Sequence, residues 1–426
     1  MGKMQWLNKW LYPGIKIKRW LILFILSFIV MFVGFSGIIG GFFNFIKIEK
    51  INFDNFFYRL HKLKFIDYLL FLLGFIGVFL AIRRTYFSIL AIFGPHRERE
   101  FINIAYQKAK LKRGPKIVAI GGGTGMPNVL RGLKQYTSNL SAIVTVADDG
   151  GSSGRLRKDY NVLPPGDIRN CIVALADEET LLGKLFQYRF EKKGELAGHS
   201  FGNLFLTALT QIIGDLPKAI NESSKVLAVS GKVYPVTLDN IVLKAKLKGG
   251  RKITGESNIT KAKGEIERIY ISPEKCKAYP ATITAIKSAD IITFGPGSLF
   301  TSVIPNLLVS GIVDAIKRSK ALKVYICNIM TQPGETTNFR VSDHIKAIFN
   351  HTGAKIIDCV IANNKLPDIK ILKKYEKENS YPVEIDKHEI ARLGVKLLEG
   401  QLFKPGKYIR HDPELLAKMI MKLIFI

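Results

Sequence analysis

Two apolar runs that end in glycine or acidic residues, and a glycine-containing block that opens a helix, constrain this chain most. Lys116-Ile117-Val118-Ala119-Ile120 leads into Gly121-Gly122-Gly123-Thr124-Gly125. Ala142-Ile143-Val144-Thr145-Val146-Ala147 ends in Asp148-Asp149-Gly150-Gly151-Ser152-Ser153-Gly154-Arg155. Pro164-Pro165-Gly166-Asp167-Ile168-Arg169-Asn170 then opens a helical pattern. In an open parallel sheet such segments gather at one edge, where ligands bind. Glycines let backbone N–H groups approach an anion, and a helix starting near Met126 adds its positive end. The pattern is neither a complete G-x-G-x-x-G nor a P-loop, since Met126 follows and no Gly-Lys-Ser/Thr does. That argues against a nicotinamide-dependent oxidoreductase.

Apolar runs at 116–120, 141–147, 290–294, 323–329 and 356–362 read as strands. Helical patterns fall at 126–136, 166–177, 201–213, 216–228, 280–287, 301–318 and 342–351. The alternation predicts an α/β fold, a Rossmann-like parallel sheet with helices on both faces. Residues 231–272 break the pattern and read as a small β insertion. The four cysteines are far apart, form no C-x-x-C pair, and give no zinc site.

The first 113 residues differ in kind. Trp20 to Ile46 holds no charge over 27 residues, more than the roughly 20 that span a bilayer. A second run, 65–82, carries one charge, Asp67. The expectation is a transmembrane helical hairpin over residues 1–82, a basic, partly helical linker over 83–114, and a nucleotide-binding domain over 115–426. Lys3, Lys9, Lys16, Lys18 and Arg19 precede the first span; Arg83, Arg84, Arg97 and Arg99 follow the second. The loop between carries Lys47, Lys50, Arg59, Lys62 and Lys64, so the positive-inside rule only moderately favours both ends in the cytoplasm. Of the net charge of +28, +13 lies in residues 1–113 and +15 in the rest, which suits a lysine-rich surface beside an anionic leaflet. No nucleic-acid motif accompanies it, and no nucleic-acid partner is expected.

Further polar blocks sit at later strand ends and helix starts. Gly295-Pro296-Gly297-Ser298-Leu299-Phe300-Thr301-Ser302 is a second candidate anion cradle. His199-Ser200-Phe201-Gly202-Asn203 offers hydrogen bonds to phosphate or sugar oxygens, or an N-cap at Ser200. Met330-Thr331-Gln332-Pro333-Gly334-Glu335-Thr336 reads equally as turn chemistry. His344 and His351 read as solvated surface positions.

The order and spacing of these six blocks resemble the YvcK branch of the CofD-like superfamily, over roughly residues 115–425. The hairpin lies outside the resemblance. CofD transfers a phospholactyl group from a nucleotide diphosphate donor to a deazaflavin precursor. The YvcK branch implies instead a binder of UDP-sugars, notably UDP-N-acetylglucosamine, linked to cell-wall precursor control, cell shape and gluconeogenic growth. It implies a nucleotide pocket at Gly121 to Gly125 and Gly295 to Ser302, with Asp148, Asp149 and Asn203 near the cleft. Ser152, Ser153, Arg155, Asp167, Arg169, Asn170 and His199 complete the candidate nucleotide-binding set. Asp148 or Asp149 is the candidate Mg ligand. Two departures stand out: Met126-Pro127-Asn128 follows the glycine loop, and Phe300 stands where relatives often have tyrosine. The spacing assembles no Ser–His–acid set, so binding without turnover is expected, with a CofD-like transferase as the alternative. A homo-oligomer is a plausible assembly.

Overall fold

The computed structural model describes residues 17–47, 53–91 and 98–425, apart from 177–180, 192, 263 and 407. The chain divides into two compact units, residues 1–107 and 108–426.

Residues 117–121 form β1 (Ile117–Gly121), buried at every position. Beside it run β2 (Leu140–Val144) and β7 (Ile291–Phe294), both parallel to it, with Ile117 opposite Leu140 on one side and Ile291 on the other. Then come β8 (Leu322–Ile326) and β9 (Cys359–Asn363). Strands covered on both faces need no polar alternation, which is why these five read as continuous apolar runs. Two edge strands complete the sheet: β3 (Lys232–Pro235) beside β2, and β10 (Lys396–Gly400) beside β9. The order is β10-β9-β8-β7-β1-β2-β3, all parallel. The four cysteines are buried free thiols.

The expected insertion begins later than the sequence suggests. Residues 232–235 belong to the main sheet, because Val233 pairs with Ala142 of β2. A separate antiparallel sheet is made by β4 (Val242–Leu247), β5 (Lys252–Thr254) and β6 (Ile266–Ser272). The helix expected over 301–318 is three pieces: a π-turn Leu299–Val303, then Ile304–Leu307 and Ile312–Arg318. Gly311, at φ 91°, makes the break in a conformation that glycine alone adopts freely. The Gly-Gly-Ser-Ser-Gly run is a helix, Gly151–Tyr160, closed by Asn161 at φ 51°.

His344 and His351 are buried, not solvated. They lie on one stripe of helix Val341–Thr352, with Val341, Ile345 and Ile348. His351 Nε2 accepts the Ile269 N–H (3.0 Å) and Nδ1 pairs with the Ala347 carbonyl (2.7 Å), so this histidine fastens β6 to the helix. His344 Nδ1 meets the Tyr325 hydroxyl at 2.8 Å.

In the N-terminal unit, helices Ile17–Lys47 and Phe53–Ala91 pack closely. Gly34 sits against the Phe71 backbone and Gly74 against Met31, an approach that larger side chains would block. Stretches Lys18–Ile39 and Phe65–Ser88 are long and apolar enough to cross a bilayer by length and composition. Phe32 is 61% exposed and Phe65 67%, so the apolar surface faces outward. Residues 83–91 continue the second helix, and Glu98–Lys112 is a further one. Lys3, Lys9, Lys16, Lys50 and Arg97 lie outside the described residues.

Candidate functional site at the sheet switch point

From β1 the chain proceeds to β2 and β3 on one side, while β7 leads to β8, β9 and β10 on the other. The crevice between the ends of β1 and β7 is therefore a topological switch point, the usual ligand position in such sheets. Both glycine loops open there. Gly123 takes φ +63° and Gly295 +78°, backbone that disfavours any side chain. The loops touch: Gly125 packs on the Pro296 carbonyl, and a Cβ on Gly297 would lie 3.3 Å from the Gly122 oxygen. Asn306, fully buried, donates to the carbonyls of Gly121 (3.0 Å) and Ser302 (2.7 Å) and so ties the two loops together.

A cavity of about 480 Å³ opens on these loops. Gly123, Thr124, Gly125, Pro296, Gly297, Ser298, Thr301 and Ser302 line it. Asn328, Gln332 and Glu335 supply another wall. The Ser298 hydroxyl donates to Glu335 Oε2 (2.6 Å), and Asn328 Nδ2 donates to the Gly297 carbonyl (3.0 Å). Burial pushes the Glu335 carboxyl up, against the Ser298 hydrogen bond. Glu256 and Thr260 reach the cavity from the insertion; Tyr375, Arg410 and His411 also line it.

The sequence alone did not point to Glu256, Thr260, Asn328, Gln332, Glu335, Tyr375, Arg410 or His411 as site residues. The block at 330–336 was visible as a strand-end motif, and that signal covers Gln332 and Glu335. Nothing local marks Glu256. A tertiary bond places it: Asp149 Oδ1 accepts the Ser257 N–H (2.8 Å) and fixes the start of helix Glu256–Lys261. Burial, then Asp148, Asp149, Asp167 and Glu335, raise the Glu256 carboxyl to about 8, so it is largely protonated at neutral pH and can donate.

The remaining predicted residues do not line that cavity. They form a second polar network on the β2 side. Asp167 Oδ2 accepts the Gly123 N–H (2.7 Å) and joins the network to the glycine loop. Burial raises Asp167 to about 6, opposed by that bond, assisted by Asp148 and opposed by Arg169. Asp148 Oδ1 accepts the Gly150 N–H (2.9 Å). Ser153 Oγ packs against Gly166, and the Arg155 guanidinium donates to the Ala197 carbonyl (2.6 Å). Arg169 donates to the Ser200 hydroxyl and to Asn170 Oδ1 (2.6 Å), and burial lowers it to about 10. Ser200 caps helix Phe201–Ile213 by accepting the Asn203 N–H (3.3 Å).

Ser152 Oγ lies 3.0 Å from His199 Nδ1 and accepts from Asn203 Nδ2 (3.0 Å). Burial, then Arg155, lowers the His199 pKa, which favours the neutral ring. A serine–histidine pair is thus assembled after all, from residues 47 apart, with an amide as third member. Asn203 Oδ1 and Arg169 Nε are buried with no partner among the described residues.

Phe300 corrects an expectation. The π-turn carries its ring into the core, against Phe339 (6.1 Å between centroids) and His351 (5.7 Å), and away from the cavity. Among the described residues no group of three His, Cys, Asp or Glu side chains is placed to hold a metal ion. Asp149 has one oxygen committed to Ser257, and Asp148 one to Gly150.

The family described as 2-phospho-L-lactate transferase CofD matches residues 117–403. The gluconeogenesis factor of Bacillus subtilis is 47% identical over 73% of this chain and 98% of its own length. A relative from Nostoc sp. is 47% identical over 98% of this chain and 92% of its own, so that match extends into the N-terminal unit. A crystal structure of a UPF0052-family protein from Bacillus halodurans superposes with a TM-score of 0.70 at 46% identity, covering 72% of this chain and 99% of that one. The chain belongs to the CofD family and, within it, to the YvcK-type branch of gluconeogenesis factors.

Proposed function

We propose that this chain is a membrane-anchored, UDP-sugar-binding regulator, with UDP-N-acetylglucosamine as its first ligand, acting on cell-wall precursor supply, cell shape and gluconeogenic growth. The supporting observation is the pair of glycine loops that meet at the switch point over a cavity of about 480 Å³. Such cavities fall in the usual size range for small-molecule sites. The diphosphate would rest on the backbone N–H groups of Thr124 and Gly125, since that of Gly123 is given to Asp167, and on the hydroxyls of Ser298, Thr301 and Ser302. Asp148, four residues past β2 and in the adjoining polar network rather than the cavity wall, would take a ribose hydroxyl. Where Mg²⁺ accompanies the ligand, Asp148 and the phosphates would share it, because magnesium commonly uses one or two carboxylates plus substrate phosphates. It would then neutralise phosphate charge, and this chain's own groups would orient the sugar nucleotide.

The test is a panel of nucleotides and nucleotide sugars titrated into the full chain in mild detergent, followed by mass spectrometry for products. Specific UDP-sugar binding without turnover is expected. Asp148→Ala should weaken it about tenfold, the cost of one lost buried hydrogen bond. Binding unchanged by this substitution, with and without Mg²⁺, would make Asp148 a turn residue. Multiple turnovers lost in Asp148→Ala or Asn203→Ala would favour the second reading, a CofD-type transferase. The Ser152–His199 pair supports that reading, since a neutral imidazole beside a hydroxyl can accept its proton.

The apolar hairpin should hold the chain in the membrane as a two-span anchor, with the α/β domain on the cytoplasmic side. Membranes washed with alkaline carbonate should retain the full chain. Release into the wash would reject the anchor, and protease cleavage of the domain on intact cells would reject the orientation.

A further inference from the structure

Glu335 meets the Gly295–Ser302 loop at three points. Its Oε2 lies 2.6 Å from the Ser298 hydroxyl, and the Phe300 N–H and the Thr301 hydroxyl also bond to the carboxyl. The side chain is 4% exposed and lines the switch-point cavity with Ser298 and Thr301. An ionised carboxylate there sets a buried negative charge one hydrogen bond from the hydroxyls that would hold a phosphate. Burial raises the Glu335 carboxyl, and the bonds from Ser298, Phe300 and Thr301 oppose that rise.

Ser298 has one hydroxyl hydrogen and two acceptors. Asn328 Oδ1 accepts the Gly297 N–H (3.4 Å) and Asn328 Nδ2 donates to the Gly297 carbonyl (3.0 Å), so that amide has one orientation. The other Nδ2 hydrogen reaches Gln332 Oε1 (3.2 Å), which orients the Gln332 amide in turn. The Ser298 hydroxyl therefore faces two oxygens, Glu335 Oε2 at 2.6 Å and Gln332 Oε1 at 3.2 Å. With Glu335 ionised, the hydrogen goes to the carboxylate, the stronger acceptor, and Gln332 meets a lone pair. With Glu335 protonated, the acid donates to Ser298 Oγ. The Ser298 hydrogen is then free for Gln332 or for a ligand oxygen.

We propose that Glu335 is a proton switch for the Gly295–Ser302 loop, which takes a ligand phosphate only while Glu335 is protonated. Glu335 is a positioning residue: it acts through the Ser298 and Thr301 hydroxyls. The switch rests on the nucleotide-binding reading above. The ligand binds the protonated chain, so a rise in pH that ionises Glu335 makes binding draw a proton from solution, and the affinity falls. Other charged groups share the cavity. Burial, then its acidic neighbours, raise Glu256 to about 8. Asp167, at about 6, adjoins the cavity through the Gly123 N–H. Burial lowers His411 to about 4, so it stays neutral near pH 7; Arg410 and Glu378 also line the wall.

The probe is UDP-N-acetylglucosamine, titrated calorimetrically into the full chain in neutral detergent at constant Mg²⁺, from about pH 5.5 to about pH 8.5. Both of its phosphates are esterified, so it lacks the ionisation near about pH 6 that a phosphomonoester has. Glu335→Gln supplies an amide that still donates to Ser298 and imitates the neutral acid. The wild type and Glu335→Gln should agree within about threefold at the acid end. At the alkaline end Glu335→Gln should bind about tenfold or more tighter, since one linked proton changes affinity up to about tenfold per pH unit. Asp167 and Glu256 titrate in both proteins. Because Glu256 feels the Glu335 charge, the comparison is repeated in a Glu256→Gln background, where the divergence should persist. Parallel profiles, or a divergence that disappears with Glu256→Gln, overturn the switch. The Glu256→Gln chain is also titrated at the alkaline end in two buffers of unlike ionisation heat, which counts protons taken up on binding. Uptake is expected; binding without it overturns the switch whether or not the Glu335 variant folds, and leaves the nucleotide reading standing. A wild-type chain that binds the probe at no pH removes the nucleotide reading and the switch with it.

Discussion

Gly123→Val is expected to lower the affinity for UDP-N-acetylglucosamine about 100-fold, equivalent to about 2.7 kcal/mol. Gly123 stands at φ +63°, where a β-branched residue is strained, and its N–H is held by Asp167. A Cβ there would lie 3.1 Å from Ser302 Oγ, between the two glycine loops. The added side chain takes the space that a phosphate needs to reach the backbone. The nearest obstacle is a side-chain oxygen that can rotate away, so the cost to folding should stay near the strain of one left-handed residue, about 1–2 kcal/mol. Calorimetry gives the affinity and thermal unfolding the stability. Wild-type affinity in a cooperatively folding variant would remove the phosphate from this loop. Gly125 is a poorer choice, because its neighbour is the fixed Pro296 carbonyl and a change there would disturb the fold as well.

What the sequence made legible follows from how burial writes itself into residue type. β1, β2, β7, β8 and β9 lie inside the sheet and are nearly all apolar, so their positions could be read within a few residues. β3 contains Lys232 and Pro235, and β10 contains Lys396 and Glu399; both are edge strands, where such residues are tolerated and the apolar signal fades. The glycine loops were legible because their backbone geometry demands glycine. Glu256 was not, because a bond between Asp149 and Ser257, 108 positions apart, brings it to the cavity. The same bond gives Asp149 a role in the fold, where the sequence offered only a metal ligand near the cleft. The stripe Val341, His344, Ile345, Ile348, His351 was readable as one helix face, and its histidines belonged to the core on that count.

Those buried histidines should make the α/β domain sensitive to acid in a way that one pair of substitutions can isolate. Burial lowers His344 to about 3, against about 6.5 in an unfolded chain. The neutral ring therefore stabilises the fold fully above pH 6.5, and the contribution is lost as pH falls from 6.5 toward 3. At pH 4 the loss is about 3 kcal/mol. His411, lowered to about 4 by burial, acts in the same direction. Asp167 and Glu256 act oppositely, since their raised carboxyls favour the folded state more as pH falls through about 6 and about 8. The overall pH curve mixes these opposing slopes, so the informative quantity is a difference between two proteins. His344→Phe with Tyr325→Phe removes both ends of the 2.8 Å hydrogen bond and leaves no orphaned hydroxyl. The double variant should match the wild type within about 1 kcal/mol at pH 7.5 and exceed it by about 3 kcal/mol at pH 4. Urea unfolding of both proteins at the two pH values gives the comparison. A difference that stays constant across that range would mean that His344 takes up a proton in the folded domain as readily as in the unfolded chain.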